Sequence, residues 1–357
     1  MKKIVLTGGG TAGHVTPNIA LIPELQKNGY EVHYIGSYDG IEKKLIEELG
    51  IPYYGISSGK LRRYFDPKNF SDPLKVIKGY SEARKLLKRL KPDVVFSKGG
   101  FVAVPVVYAA KTTHIPSIIH ESDMSPGLAN KLCLPFASKV CANFPEALQT
   151  LPKGKAVLTG TPIRKELFYG NRDKGLRFCG FTAEKPVLLI IGGSLGAVAV
   201  NQAIRSVLPQ LLKDFQVIHL CGKGKLDPSL SDTKGYVQYE YIEQELRDLF
   251  AAADVIVSRA GANAICELLA LRIPHILIPL PAHASRGDQI LNAKSFAKQG
   301  FSYLLEEETM TSETLLSAIK ETYLHREDYR KAMAASKQSD AISLILDMIK
   351  DLTKTAR

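Results

Sequence analysis

The residues with the clearest chemical promise sit on glycine-rich loops. Arg259-Ala-Gly-Ala-Asn-Ala-Ile-Cys-Glu267 lies between two apolar runs, 254–258 and 273–279. Such runs read as buried parallel strands. The loop between them therefore falls at the carboxyl end of a strand, where open α/β sheets bind ligands. Gly261 lets the backbone approach a ligand closely. Glu267, about one turn into the helix that follows, can accept two hydroxyl hydrogen bonds from a vicinal diol such as a ribose, while loop and helix amides face phosphate. Taken alone, Glu267 reads equally well as an exposed first-turn acid stabilised by the helix dipole.

A second loop shifts that balance. Gly192-Gly193-Ser194-Leu195-Gly196 follows the strongest strand of the chain, 187–191, and Asn201 stands five residues beyond it. The first strand is followed in the same way by Gly9-Gly10-Thr-Ala-Gly13, with Asn18 five residues beyond. Two halves that begin alike indicate an internal repeat. Neither loop has the G-x-G-x-x-G spacing of dinucleotide enzymes in frame, and no Walker A lysine follows, so a dinucleotide-dependent oxidoreductase is disfavoured. Both loops suit an anion at a helix N-terminus.

The elements that must carry these loops alternate regularly. Short apolar strands are expected at 3–7, 31–35, 53–56, 93–97, 117–120 and 139–142, with helices near 17–28, 40–49, 73–91, 101–112 and 126–135. The pattern restarts at Pro186 with strands at 187–191, 216–220, 236–239, 254–258, 275–279 and 301–305 and helices near 196–212, 243–252, 262–271 and 287–299. This is α/β, two doubly wound parallel-sheet domains. The expected division is an N-terminal domain over 1–160, a linker over 161–185 that is rich in charge and poor in periodicity, a second domain over 186–335, and a C-terminal helix in 336–357 that packs back on the first domain. A chain of 357 residues with 45% hydrophobic content can bury two such cores.

Five widely spaced cysteines without a C-x-x-C pair argue against a disulfide framework and a structural zinc site, and point to a reducing cytoplasm. The apolar run after Met1-Lys-Lys is too short for a signal peptide. No run reaches the roughly 20 apolar residues of a membrane span. Yet the net charge is +11. Residues 60–91 carry eleven Lys or Arg against Asp66, Asp72 and Glu82, interleaved with Tyr64, Phe65, Phe70, Leu74, Ile77 and Tyr80. For 60–80 that mixture fits an anionic membrane surface, with Phe65, Phe70 and Ile77 entering the acyl boundary. For 81–91 a solvated basic helix with Leu86, Leu87 and Leu90 facing the core is the better reading. No recognition-helix or RNP-like pattern accompanies the patch, so no nucleic-acid partner is expected.

Six motifs occur in a telling order: Thr7-Gly-Gly-Gly-Thr-Ala-Gly-His14-Val-Thr-Pro17, Lys98-Gly-Gly-Phe101, His120-Glu-Ser-Asp-Met-Ser-Pro-Gly-Leu-Ala-Asn130, Gly160-Thr-Pro-Ile-Arg164, Gly192-Gly-Ser-Leu-Gly-Ala197 and Arg259-Ala-Gly-Ala…Glu267. Over nearly its full length the chain resembles the MurG family of peptidoglycan N-acetylglucosaminyltransferases, in glycosyltransferase family 28. That resemblance implies a GT-B fold, two Rossmann-like domains facing across a cleft that closes by a hinge. It implies inverting transfer of GlcNAc from UDP-GlcNAc to the 4-hydroxyl of the muramoyl sugar of lipid I, giving lipid II, at the cytoplasmic face of the cell membrane as a peripheral protein. Cell-wall synthesis proteins, cell shape and cell division follow as its implied context.

The resemblance also implies residue roles. The donor falls to the second domain, with Glu267 on the ribose hydroxyls, the backbone at Ile242 reading uracil, Ser194 and its neighbouring amides at the diphosphate, and Gln289 on the GlcNAc hydroxyls. Asp288 stands where some members have a second glutamine. Thr11, Ala12 and Gly13 close on the donor from the first domain, and Arg164 helps to neutralise diphosphate. His14, whose ordinary pKa is near 6.5, could deprotonate the acceptor hydroxyl or orient phosphate. Asp123 matches a family position at sugar or acceptor, and the base stays open between the two. No metal and no cofactor are expected, since no D-x-D motif is present. Two rival readings keep the donor site: a UDP-sugar:diacylglycerol glycosyltransferase, and a non-catalytic nucleotide-sugar-binding protein that needs Glu267 and Ser194 but neither His14 nor Asp123.

Overall fold

The computed structural model describes residues 1–59, 68–193, 196–283 and 287–355. The chain divides into two compact units, Met1–Arg164 with Asp340–Arg357, and Lys165–Ser339.

Unit 1 runs β1 (Lys2–Thr7), α1 (Thr16–Lys27), β2 (Tyr30–Ser37), α2 (Ile41–Glu47), β3 (Tyr53–Ile56), α3 (Lys68–Leu90), β4 (Val94–Ser97), α4 (Ala103–Thr112), β5 (Ser117–Glu121), α5 (Leu128–Cys133), β6 (Lys139–Ala142) and β7 (Ala156–Leu158). The seven strands form one parallel sheet in the order β3-β2-β1-β4-β5-β6-β7. Strand side chains alternate between the two faces. Ile4, Leu6, Val32, Tyr34, Val94 and Phe96 pack with α1 on one face. Val5, Ile35 and Val95 pack with α3 and α4 on the other. Burial on both faces is what the uninterrupted apolar strands require. In α3, Leu87 and Leu90 are buried in that second core and Leu86 packs against it, as their spacing predicts.

Unit 2 runs α6 (Arg172–Phe178), β8 (Val187–Ile191), α7 (Val198–Ser206), α8 (Leu208–Asp214), β9 (Gln216–Leu220), β10 (Tyr236–Tyr239), α9 (Leu246–Ala252), β11 (Val255–Ser258), α10 (Ala262–Leu271), β12 (His275–Leu277), α11 (Asp288–Lys298), β13 (Tyr303–Leu304), α12 (Ser312–Leu324) and α13 (Arg326–Ala334). Its six parallel strands are ordered β10-β9-β8-β11-β12-β13. Leu188, Ile190, Val217, Val255, Val257 and Ile276 pack against α7, α8 and α12. The helix predicted over 196–212 is two helices, because Pro209 at the start of α8 has no N–H to donate and crowds the preceding turn.

The segment 161–185, predicted as a linker, carries a 3-10 turn at Lys165–Tyr169 and then α6. Asn171 caps α6 by accepting from the Lys174 amide at 2.9 Å. The helix lies so close to α9 that a Cβ on Gly175 would meet the Asp248 carbonyl. Arg172 adds a bond to the Ala252 carbonyl and an ion pair with Asp254 at 3.0 Å. A seven-residue helix held by a cap, a glycine contact and an arginine leaves too little periodicity to be seen in sequence.

α14 (Ala341–Thr355) belongs to unit 1, where Ile345, Leu346 and Ile349 are buried in the core with α1. Burying each of them is worth roughly 1.5–3 kcal/mol. Lys2 Nζ donates to Thr353 Oγ1 at 2.9 Å and so ties the last helix to the first strand.

Candidate active site

In unit 1 the strand order reverses between β1 and β4, since the chain goes from β1 outward to β3 and returns to β4 on the other side. The loops at the carboxyl ends of these two strands meet there, at the position where doubly wound sheets take ligands. Gly100 is at φ +83°, and a Cβ on it would collide with the Gly9 carbonyl, so the contact between the loops depends on a glycine. Glu42 of α2 fixes the loop from the side. Fully buried, it accepts from the Gly10 amide at 3.2 Å, the Ser37 amide at 3.0 Å and the Ser37 hydroxyl.

His14 closes the 3-10 turn Ala12–His14 beyond this loop. Its Nδ1 lies 3.1 Å from the Gly9 carbonyl and 3.1 Å from Thr11 Oγ1. A carbonyl can only accept, so Nδ1 carries the proton of the neutral ring and the basic lone pair is on Nε2. Burial, and after it the charge of Lys98, lower the pKa of His14 below its ordinary value, while the Gly9 hydrogen bond and Glu42 oppose them.

The end of β5 supplies the rest of the unit 1 site. Glu121 is buried and accepts from the Asp123 amide at 2.8 Å, the Gly127 amide at 3.1 Å and Asn130 Nδ2 at 2.8 Å. Burial raises its pKa, and these hydrogen bonds work against the rise. Its effect is to hold the turn that presents the half-buried Asp123. Thr11 is exposed, Gly13 is half-buried, and Arg164 is half-buried at the last position of the unit. The side chain of Ala12 lies outside the described residues.

In unit 2 the reversal falls between β8 and β11. Gly196, at φ +68°, lies against the Cys221 carbonyl too closely for a Cβ. Ser194 lies outside the described residues. After β11, Arg259 is committed to structure. Its guanidinium donates to the carbonyls of Ile278 at 3.0 Å and Pro279 at 3.1 Å and pairs with Glu307. Glu267 is the sixth residue of α10, whose first turn holds no acid, so the reading of it as a first-turn acid fails. Gln289, in the first turn of α11, accepts from the Leu280 amide at 3.1 Å through Oε1. Asp288 is the first residue of that helix, and Ile242 is buried in the loop between β10 and α9. Ile242, Glu267 and Gln289 thus follow β10, β11 and β12 along one edge of the sheet.

Glu42, Lys98 and Glu121 were given no role by sequence reasoning. For Lys98 and Glu121 the available signal was a charge set beside glycines or at the end of an apolar strand, where it must be held by specific hydrogen bonds, whereas Glu42, in the first turn of α2, carried no such mark. Of the predicted membrane residues, Ile77 is 64% exposed on α3 and its neighbour Leu74 is 69% exposed, which leaves two large apolar groups in water. Phe65 lies outside the described residues, as does the side chain of Phe70. Among the described residues no helix is long and apolar enough to cross a membrane, and no group of His, Cys, Asp or Glu is placed to hold a metal ion. The five cysteines are buried, and burial pushes Cys133 and Cys141 up to about 12.

Two parallel-sheet Rossmann-like domains, each with a glycine loop at the point where its strand order reverses, are the architecture of the GT-B fold. The crystal structure of Acinetobacter baumannii MurG matches with a TM-score of 0.77 over 98% of this chain and 100% of that one, at 27% identity. The glycotransferase of kitacinnamycin shares the fold, at a TM-score of 0.76 over 99% of each chain and 17% identity. The family model for the glycosyltransferase family 28 N-terminal domain matches residues 4–142, and that for the family 28 C-terminal domain matches 187–347. The chain is 70% identical to the UDP-N-acetylglucosamine--N-acetylmuramyl-(pentapeptide) pyrophosphoryl-undecaprenol N-acetylglucosamine transferase of Lachnoclostridium phytofermentans, over 99% of both chains. It is 64% identical to the protein of the same name from Lachnospira eligens, over 99% of this chain and 100% of that one. The chain belongs to glycosyltransferase family 28.

Proposed function

We propose that this protein transfers N-acetylglucosamine from UDP-GlcNAc to the 4-hydroxyl of the N-acetylmuramoyl-pentapeptide of lipid I, forming lipid II with inversion at the anomeric carbon. The observation that carries the reading is full-length identity of 70% to a transferase of that name, in a chain whose two sheets both keep a glycine loop at the reversal. Unit 2 takes the donor, with Glu267 on the ribose diol, the backbone at Ile242 on uracil, Gln289 on the sugar and Ser194 at the diphosphate. Unit 1 takes the acceptor. His14 Nε2 accepts the proton of the attacking hydroxyl, and Asp123 binds the acceptor sugar. Thr11, Ala12 and Gly13 are assigned to the donor, and Arg164 to its diphosphate.

The chemistry supports these roles. Inversion needs the hydroxyl in line behind the anomeric carbon and a stabilised leaving diphosphate. Backbone amides at helix starts and an arginine meet the second need without a metal. Turnover is therefore expected to persist in EDTA. We place the enzyme peripherally on the cytoplasmic face of the membrane that holds its acceptor, with Leu74 and Ile77 of α3 beside Lys75 and Lys78 as the contact, and cell-wall assembly as its setting. Replacing Phe65, Phe70 and Ile77 by Ser should then abolish sedimentation with anionic vesicles.

The deciding assay is UDP release from UDP-GlcNAc with lipid I, with diacylglycerol and with no acceptor. Release only with lipid I, with a product one GlcNAc heavier, is the expected result. Release only with diacylglycerol would keep the donor site and overturn the acceptor. UDP binding without release in any mixture would make the protein a nucleotide-sugar binder.

A further inference from the structure

Beneath the unit 1 glycine loop lies a buried cation. Lys98 directly follows β4 and is 1% exposed. Its Nζ donates to His120 Nδ1 at 2.8 Å and to the Ser122 hydroxyl. An ammonium at that depth persists only where hydrogen bonds replace its lost hydration. His120 is arranged to provide one. Its Nε2–H donates to the Gly160 carbonyl at 2.8 Å, which leaves Nδ1 as the acceptor facing the lysine. Burial, then the Lys98 charge, hold His120 well below the ordinary histidine range, so the imidazole is the neutral acceptor of the pair.

This cation belongs to the same rigid group as His14. The Lys98 amide donates to the Thr7 carbonyl at 2.9 Å and locks the β4 loop to the β1 loop. A Cβ on Gly99, the next residue, would lie 3.7 Å from His14 Cδ2, and one on Gly8 would lie 3.3 Å from Lys98 Cβ.

We infer that Lys98 is a positioning residue for the transfer: its ammonium, anchored on His120 and Ser122 under the glycine loop, keeps the His14 imidazole neutral, so that Nε2 can accept the proton of the attacking hydroxyl. The inference rests on His14 being the base in the proposed reaction. Two charged groups bear on His14 from the elements around it, Lys98 from the end of β4 and Glu42 from α2, and they act in opposite senses. Glu121, at the end of β5, lies close enough to feel the Lys98 charge as well. Glu42 favours the imidazolium, but its carboxylate is engaged by Gly10 and Ser37. Burial and the ammonium prevail.

In the transfer, the hydroxyl oxygen bonds to the anomeric carbon and its proton passes to Nε2. The bond from that carbon to the UDP oxygen breaks, and its electron pair leaves on the diphosphate. Lys98 then favours release of the proton from the imidazolium to water, which restores the base.

The test uses Lys98→Gln, which keeps a donor and removes the charge, with Lys98→Met as the alternative should Gln not fold. A cooperative thermal transition and a circular dichroism spectrum like those of the wild type serve as the folding control. His14 is titrated in the full-length free enzyme by imidazole 15N NMR, assigned with His14→Gln, and kcat/KM for lipid I is followed against pH. Loss of the charge should raise the His14 pKa and carry the acidic limb of kcat/KM upward with it. A folded variant whose His14 titrates where the wild type does overturns the inference. If the titration moves and the kinetic limb stays, the Lys98 effect on His14 stands, and it is the assignment of His14 as base that falls.

Discussion

In both units the asparagine five residues beyond the last loop glycine ties the helix after that loop to the strand next door. Asn18 Nδ2 donates to the Thr7 carbonyl at 3.1 Å and to the Tyr34 hydroxyl of β2 at 3.2 Å, and Tyr34 in turn donates to the Gly8 carbonyl at 2.7 Å. Asn201 Nδ2 donates to the Cys221 carbonyl at 2.9 Å and its Oδ1 accepts from His219 of β9 at 3.0 Å, while the Tyr236 hydroxyl donates to the other ring nitrogen at 3.0 Å. What surrounds the two loops differs. Around the first stand Glu42, Lys98, His14 and Glu121, all ionisable and mostly buried. Around the second stand two cations bound to backbone: Lys225 Nζ donates to the Gly196 carbonyl at 3.2 Å and Arg205 to the Lys225 carbonyl at 2.7 Å, while Arg259, after β11, is held by Glu307 and two carbonyls. One frame thus serves two ends: a cluster of buried acids, lysine and histidine at the loop where a proton is proposed to move, and lysine and arginine held on backbone carbonyls at the loop where a diphosphate is proposed to bind.

The sharpest way to break that comparison is to exchange the readouts of the two loops. His14→Ala should lower turnover by about 10²-fold or more and leave UDP affinity and melting temperature unchanged. Glu267→Ala should weaken UDP binding by roughly 2–3 kcal/mol, because a charge-assisted pair of hydrogen bonds to the ribose is lost. A His14 variant that loses UDP affinity, or a Glu267 variant that keeps it, would show that the division of labour is drawn in the wrong place.

A smaller effect should separate the two asparagines. Each truncation strands buried partners and should cost about 1–2 kcal/mol of stability. Asn18→Ala loosens the loop that carries His14 and should reduce turnover at constant UDP affinity. Asn201→Ala loosens the Gly196 turn and should weaken UDP. Equal effects of both variants on both measurements would mean that the asparagines serve folding alone.

The frame was legible in the sequence because parallel strands buried on both faces are continuous apolar runs, and because the loop and asparagine spacing repeats. Leu87 and Leu90 could be placed in the core from their helical spacing alone. The additional structure around Lys165–Phe178 was not legible, since Arg172 holds α6 on partners some 80 positions away and only the Asn171 cap is local. Nor was the electrostatics of the first loop. Glu42 lies 32 positions from the Gly10 amide that it accepts from, and Lys98 lies 22 from His120. Local patterns carry no sign of such pairs. His14 and Glu267 could be picked out because they sit inside loops whose glycines mark them, while the groups that tune and hold those loops come from other strands and helices.

The smallest expected effect concerns stability against pH, and it tests whether both units keep neutral histidines inside. Burial and the Arg205 charge lower His219 to about 3, and burial lowers His275 to about 4. Burial and Lys98 hold His120 well down in unit 1. The folded pKa of each is below the unfolded value of about 6.5. Between the two values the unfolded chain binds more protons than the folded one, so stability rises with pH through that window. These contributions are complete above about pH 6.5 and are lost as the pH falls toward the folded values, at up to about 1.4 kcal/mol per pH unit for each histidine. His275→Phe isolates one of them. The ring already lies 6.3 Å from that of Phe296, and its Nδ1–H donates to the nearby Ile273 carbonyl, a bond the variant gives up at every pH. Urea unfolding at pH 7.5, 6.5 and 5.5 should therefore show a constant offset at the higher values, and a loss between pH 6.5 and 5.5 smaller than in the wild type by about 1 kcal/mol. Parallel curves for the two proteins down to pH 5.5 would mean that His275 does not stay neutral in the fold.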